Sequence, residues 1–411
     1  MKRTRKSLLI FILFAAFFIS SCNLNEPANY NEGAGLGGFV FPMYRTQPPP
    51  HGEIVFVDRI NEIEEAEPEA EAPDETEGFE DEVEIESETE KTFEAEPDDS
   101  EKFYSAFTGL PLTEEEAALR PVAVMINNMG AALPQSGISQ ADIIYEALAE
   151  GNVTRLVAVF QSFDAEKIGP IRSSRDYYIH FALDCGAVYV HHGGSPSGYA
   201  RLRNLNVNRL DGMNLEGRYF WRDRTYPEWY KSFGQTRSLE HSSYTSRDNI
   251  YAAASEAGFS DAFDTETGYG FLFFEELTRP PGYSAVNVNV PFSRGSERTF
   301  EYDYVRCVYK VLNGEGPHVD ELTREPLYVK NILIQQMRTR VVDDVGRREF
   351  ATVGSGTGFL VTMGTRTPVV WEKEDDFSPT RWYLEDGEPM RINAGKTWIC
   401  VFQDNGTAVF K

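Results

Sequence analysis

The densest run of side chains able to do chemistry is Lys167-Ile168-Gly169-Pro170-Ile171-Arg172-Ser173-Ser174-Arg175-Asp176. Guanidinium forks match carboxylate or phosphate bidentately. Serine hydroxyls and free amides at a helix start also favour an anion. The Gly169-Pro170 turn leaves an apolar run and delivers Arg172, Ser173 and Arg175 to a predicted helix start, while Arg155 opens the apolar run that leads there. One expectation is therefore an anion site made by Arg155, Arg172, Ser173 and Arg175. The other is that these arginines pair with Asp142, Glu146, Glu150 or Asp176 and hold the domain together. Residue types alone do not separate the two.

A second cluster, His191-His192-Gly193-Gly194-Ser195, closes the apolar run Ala187–Val190. Ligands of open α/β sheets bind beyond the carboxyl ends of strands, and histidine there can contact a phosphate or move a proton. His191 and, from a later loop, His241 join the candidate ligand contacts, with a structural hydrogen bond as the plainer role for each. Side chains alternate along a strand, so His191 and His192 face opposite ways. No spacing matches a metal-ligand motif, and neither a metal nor another cofactor is expected. Ser195 has Gly193 two residues before it, as a nucleophile elbow requires, but Ser197 stands where the second glycine belongs, so the segment reads as a turn. The glycines of Val353-Gly354-Ser355-Gly356-Thr357-Gly358 lack the lysine of a phosphate loop and also read as a β-turn.

The elements that must position these residues follow from periodicity. Pro121–Asn127, Ile143–Ala147, Leu156–Phe160 and Ala187–Val190 read as strands. Helices are expected from Ser173 or Ser174 to Cys185, with Gly186 as the stop, from Pro196 to Leu205, and after a Ser246 cap. Strands alternating with helices give an α/β N-terminal domain over 103–282. Beyond Tyr283 the pattern changes. Ala285–Val290 alternates with period two, and Tyr302–Leu312, Asn331–Val342, Gly358–Met363, Thr367–Trp371 and Thr397–Gln403 all read as strands. Residues 283–411 are thus expected to form a smaller, mainly-β C-terminal domain.

The amino terminus carries Lys2, Arg3, Arg5 and Lys6, followed by the apolar run Leu8–Ile19. That is the layout of a signal peptide, shorter than the roughly 20 apolar residues that span a bilayer. It ends in Ile19-Ser20-Ser21-Cys22, which resembles a bacterial lipobox. Residues 1–22 are expected to be a lipoprotein signal peptide, with Cys22 acylated by chains of the palmitate kind. More than one such chain gives stable anchoring to the extracytoplasmic face of the cell membrane. Residues 23–102 lack apolar periodicity and are expected to be a disordered linker. Between Glu62 and Glu101 stand 21 acidic residues and one lysine, Lys91. This block holds most of the formal −26 charge, leaving about −6 for the remainder, ordinary for a soluble surface. No basic footprint for nucleic acid is left. Cys185, Cys307 and Cys400 make an odd number, which admits one disulfide in any of three pairings; three buried thiols are the preferred expectation.

Longer stretches resemble the YerB-type bacterial lipoproteins, a family of paired domains of unknown function. They are RPVAVMINN (Arg120–Asn128), PQSGISQADIIYEALAEG (Pro134–Gly151), TRLVAVFQS (Thr154–Ser162), KIGPIRSSRDYY (Lys167–Tyr178), VHHGGSP (Val190–Pro196), PHVD (Pro317–Asp320), VGSG (Val353–Gly356) and SPTRWY (Ser378–Tyr383). The resemblance covers about 105–411 and implies an extracytoplasmic two-domain lipoprotein, with no established activity. The family usually has another residue, such as proline, where Asp176 stands, so Asp176 carries no weight. A fainter similarity links Ala141-Asp142-Ile143, Ala158–Ser162, Lys167 and Ile171–Asp176 to the LytR-CpsA-Psr phosphotransferases; it implies that Asp142 orients a divalent ion while the arginines hold pyrophosphate. Three functions remain in play: a surface-anchored protein binding a phosphorylated or carboxylated envelope ligand, a phosphotransferase or hydrolase acting on lipid-linked glycan, and an envelope scaffold using an aromatic patch near Trp371 or Trp382.

Overall fold

The computed structural model describes residues 102–230, 236–314 and 316–411. The expected signal peptide, the lipidation site Cys22 and nearly all of the acidic linker lie outside the described residues. Among those described, no helix is long and apolar enough to cross a membrane.

Three strands carry the N-terminal half: β1 (Val122–Asn127), β2 (Ile143–Leu148) and β3 (Thr154–Phe160). All three are buried along their whole length. Strands covered on both faces gain from apolar side chains at most positions, which is why these segments are so rich in them. Helix α1 (Asp176–Leu183) covers one face, where Phe181 stacks on Tyr145 of β2 at 4.9 Å. It leads through Gly186, at φ +60°, into β4 (Val188–His191). Helix α2 (Pro196–Asn204), strand β5 (Arg209–Asp211) and helix α3 (Arg247–Glu256) complete this half.

Two helix starts obey simple capping chemistry. Ser195 accepts the Gly198 amide and Ser246 the Asn249 amide, each satisfying a donor that the helix itself leaves unpaired. Ser195 is thus an N-cap at the turn, not an exposed nucleophile. Helix α1 departs from expectation. Its N-cap is Arg175, with no side-chain cap bond. Ser174 instead receives the Tyr189 hydroxyl at 2.9 Å, and Ser173 donates to the His192 carbonyl at 3.0 Å.

The C-terminal half is strand-rich. Strands β6 (Asn287–Ser293), β7 (Ser296–Asp303) and β8 (Val308–Asn313) form the centre of a small antiparallel sheet. The run Tyr302–Leu312 is therefore two strands, divided by a turn that holds Cys307 at φ +53°. Strands β9 (Asn331–Met337), β10 (Gly354–Thr362), β11 (Thr365–Lys373), β12 (Arg381–Leu384) and β13 (Thr397–Gln403) follow. The Gly354–Gly358 segment lies within β10 and is not a β-turn. A Cβ on Gly358 would collide with the Ile334 carbonyl of β9, and one on Gly356 with the Trp371 indole of β11. These glycines serve close approach between strands.

One sheet unites the halves. Its order is β11-β10-β9-β13-β2-β3-β1-β4-β5, with β12 and Tyr283–Ser284 both on β11. The joint is β13, parallel to β9 on one side and to β2 on the other, pairing Thr397 with Ile143 and Cys400 with Glu146. The small sheet packs on this joint through Phe300 against Trp398 and Phe292 against Phe402, each at 5.9 Å. The architecture is the expected α/β half followed by a mainly-β half, with one core running through both. Cys185, Cys307 and Cys400 are all free thiols. Cys185 and Cys400 are buried as expected, but Cys307 is only half-buried.

Candidate functional site

Strands β1, β2 and β4 run parallel, with β3 antiparallel between β1 and β2. Their carboxyl ends share one edge of the sheet. Arg155, second in β3, is paired with Asn127 at the end of β1 and with Ala147 near the end of β2. The Gly169-Pro170 turn brings the next two arginines to the same edge, where the Arg172 amide bonds to the Met125 carbonyl.

Two carboxylates organise the three arginines. Arg155 binds Glu150 and donates through Nη1 to the Ser173 carbonyl at 2.6 Å. Arg175 grips the same Glu150 bidentately, Nε at 3.0 Å and Nη2 at 2.6 Å. Burial pushes Glu150 upward, yet the guanidiniums of Arg155 and Arg175 outweigh it and hold the carboxyl below its usual range. Arg172 takes a different partner, Glu240, donating Nη2 to its carboxylate at 2.9 Å and Nη1 to its carbonyl at 3.0 Å. The hydrogen bond from Arg172 lowers the Glu240 carboxyl as well. The Glu240 side chain is 56% exposed, whereas that of Arg155 is 6% exposed. Three guanidiniums against two carboxylates leave one positive charge in excess.

His241 belongs to the same group. Asn127 donates Nδ2 to its Nδ1 at 2.7 Å, and the Asn127 orientation is fixed because its Oδ1 accepts the Met129 amide. The ring proton therefore sits on Nε2, 3.5 Å from Glu240. Burial holds His241 below the ordinary histidine range. Asn127 passes the network inward, since its carbonyl accepts from Gln135, whose Oε1 meets His318. His318 in turn contacts Arg298, which is paired with Glu146.

His191 is not brought to this group. It is fully buried, with Nδ1 on the Gly193 carbonyl at 2.8 Å and Asp211 beside it, and burial holds it below the ordinary histidine range. Alternation along β4 sends its neighbour the other way. His192 accepts from Arg222 at 2.7 Å and meets Ser243 at 2.8 Å. Gly212 makes room for that ring, since a Cβ there would overlap it. Arg222 also donates to the Leu239 carbonyl at 2.8 Å, so it and Arg172 both secure the turn bearing Glu240. His192 stood in the histidine cluster but not among the candidate contacts, and neither Glu240 nor Arg222 stood out in the sequence. For Glu240 and Arg222 the adjacency of Glu240 to His241 was the only sequence signal.

Asp142 stands at the opposite end of the sheet. It precedes β2, and its Oδ2 accepts the Gln161 amide at 2.8 Å. Burial pushes its carboxyl up to about 7. A strand of six residues, Ile143–Leu148, separates it from the arginines, so an ion at Asp142 would not reach a pyrophosphate held by them, contrary to what the phosphotransferase similarity implied. Among the described residues, no cluster of three histidine, cysteine or carboxylate side chains is placed to hold a metal.

Sequence and fold together define a two-part module, an α/β half and a mainly-β half joined in one sheet. Residues 107–260 match the N-terminal domain of a protein family of unknown function, DUF3048, and residues 288–399 match its C-terminal domain. The chain belongs to this YerB-like family. A Bacillus subtilis (strain 168) protein named as a lipoprotein, YerB, is 32% identical over 312 residues, covering 75% of this chain and 88% of that protein. The crystal structure of the Bacillus subtilis YerB protein superposes with a TM-score of 0.65 at 31% identity, covering 75% of this chain and all of that one.

Proposed function

We propose that this protein is a lipoprotein anchored through Cys22 to the extracytoplasmic face of the membrane, and that its α/β half binds an anionic, phosphorylated or carboxylated ligand of the cell envelope at Arg172. The anchor rests on the Ile19–Cys22 motif and on the name borne by the Bacillus relative. The single observation that carries the binding site is the contrast between two carboxylates. Glu150 is a built-in counterion for Arg155 and Arg175. Glu240 is largely exposed and occupies the Arg172 fork from outside. A ligand phosphate or carboxylate takes the place of the Glu240 carboxylate on Arg172, and the excess positive charge favours the exchange. An exposed ion pair of this kind contributes only about 0–1 kcal/mol, so displacing it costs little.

Calorimetry on the full chain in detergent micelles, with inorganic pyrophosphate and glucuronate as probes, tests this. Glu240→Gln is expected to tighten binding of at least one probe and Arg172→Leu to abolish it, with little change in melting temperature for either. The reading fails if neither probe binds the wild type, or if Arg172→Leu binds as well as wild type. For the anchor, Cys22→Ala is expected to release the chain from membranes or leave it unprocessed; unchanged fractionation and migration overturns that part.

A further inference from the structure

The SPTRWY segment takes no part in the arginine site. It lines a cleft between the mainly-β half and the 267–272 segment of the α/β half, made of two adjoining lobes of about 860 and 380 Å³. Tyr269, Arg381 and Tyr383 line both lobes, so the lobes adjoin at these residues. The Arg381 fork donates to the carbonyls of Gly268 at 2.5 Å and Thr267 at 3.0 Å. Tyr269 lies with its ring over Gly186, where any Cβ would collide with it. Phe377 stands on the rim of the larger lobe with 52% of its surface exposed. Glu372 and Glu374 line the same lobe, and among the described residues neither carboxylate takes part in an ion pair.

We propose that this cleft binds a neutral oligosaccharide strand. Aromatic rings beside hydrogen-bonding groups of both signs suit sugar rings, whose apolar C–H faces stack while their hydroxyls bond sideways. Glu372 and Glu374 accept hydrogen bonds from sugar hydroxyls, and the Ser355 hydroxyl supplies a donor. The two unpaired carboxylates repel phosphate and carboxylate ligands, which separates this site from Arg172. An extended peptide adding to the sheet is disfavoured by the backbone. Strand β12 is paired with β11 on one side, and on the other the Met390 amide bonds to Trp382 and the Leu384 amide to Glu388. No edge is left for a guest strand.

The test is titration of the full chain in detergent micelles with cellotetraose, N,N′,N″,N‴-tetraacetylchitotetraose and maltotetraose, read by calorimetry and saturation-transfer NMR. At least one sugar is expected to bind, and Phe377→Ala, Tyr383→Ala and Glu374→Gln each to weaken it about tenfold, a loss of about 1.4 kcal/mol. Phe377 is exposed, so Phe377→Ala is expected to keep the wild-type melting temperature, which guards against a folding artefact at Tyr383. Arg172→Leu is expected to leave sugar affinity unchanged, keeping this outcome distinct from that of the anion site. The proposal is overturned if none of the three sugars binds, if Phe377→Ala and Glu374→Gln bind as wild type does, if Arg172→Leu removes the binding, or if a proline-rich peptide occupies the cleft while the sugars do not.

Discussion

Arg298 of β7 and Glu146 of β2 meet across the boundary between the two halves, Nε to Oε2 at 2.8 Å and Nη2 to Oε1 at 3.1 Å, with both side chains closed to solvent. Glu146 also accepts from Asn128, Thr154 and the Trp398 indole, so its charge is fully solvated by the protein. Removing one partner leaves a buried charge without compensation, at a cost of about 3–5 kcal/mol. Arg298→Leu is therefore expected to lose that much in urea unfolding at pH 7. The double variant Arg298→Leu/Glu146→Leu should lose less than the sum of the two single losses. Additive losses would show that the pair does not act as a unit.

Glu150→Gln probes the shared counterion. The change leaves Arg155 and Arg175 facing each other without a charge between them, and a loss of about 1–3 kcal/mol is expected at neutral pH. The folded-state value of Glu150 lies below its unfolded value. Its contribution is therefore complete above the unfolded value, about 4.3, and is lost as pH falls through the depressed folded value. The difference in urea midpoint between wild type and Glu150→Gln should be flat above about pH 5 and shrink towards pH 3. A difference that persists undiminished at pH 3 refutes the electrostatic account.

His180 sets a second acid limit. Burial, with Arg201 and Lys373 adding repulsion, pushes it down to about 3. Its Nε2 lies 3.2 Å from the Arg201 guanidinium, and the nearby Asp376 is itself taken by Arg201 at 2.6 Å. The folded chain thus binds fewer protons here than the unfolded chain, whose histidine titrates near 6.5. Stability from this group is full above about pH 6.5 and falls below it by up to about 1.4 kcal/mol per pH unit. His180→Gln should make the decline between pH 6 and pH 4.5 shallower by about that amount. An unchanged slope would place the acid sensitivity elsewhere, with His318, also held low by burial, as the next group to test.

Much of this protein was legible in its sequence, and the reason is locality. Unbroken apolar runs at Val122–Ile126 and Leu156–Phe160 are best satisfied inside a sheet covered on both faces. Ser195 and Ser246 cap helices through bonds spanning three residues. The Gly169-Pro170 turn had to put Arg172 and Arg175 near the end of a neighbouring strand. What the sequence could not determine is which charges meet. Glu150 lies five residues from Arg155 but 25 from Arg175, and Glu240 lies 68 from Arg172. Those partnerships exist only after strand register and loop path are fixed, because Coulomb energy depends on separation in space and not along the chain. The same applies to β13. Its sequence marks a strand, but only three-dimensional pairing made it the seam that fuses two halves into one sheet. Tertiary structure likewise buried His191, turned His192 the opposite way onto Arg222 and Ser243, and set Asp142 at the far end of β2 from the arginines.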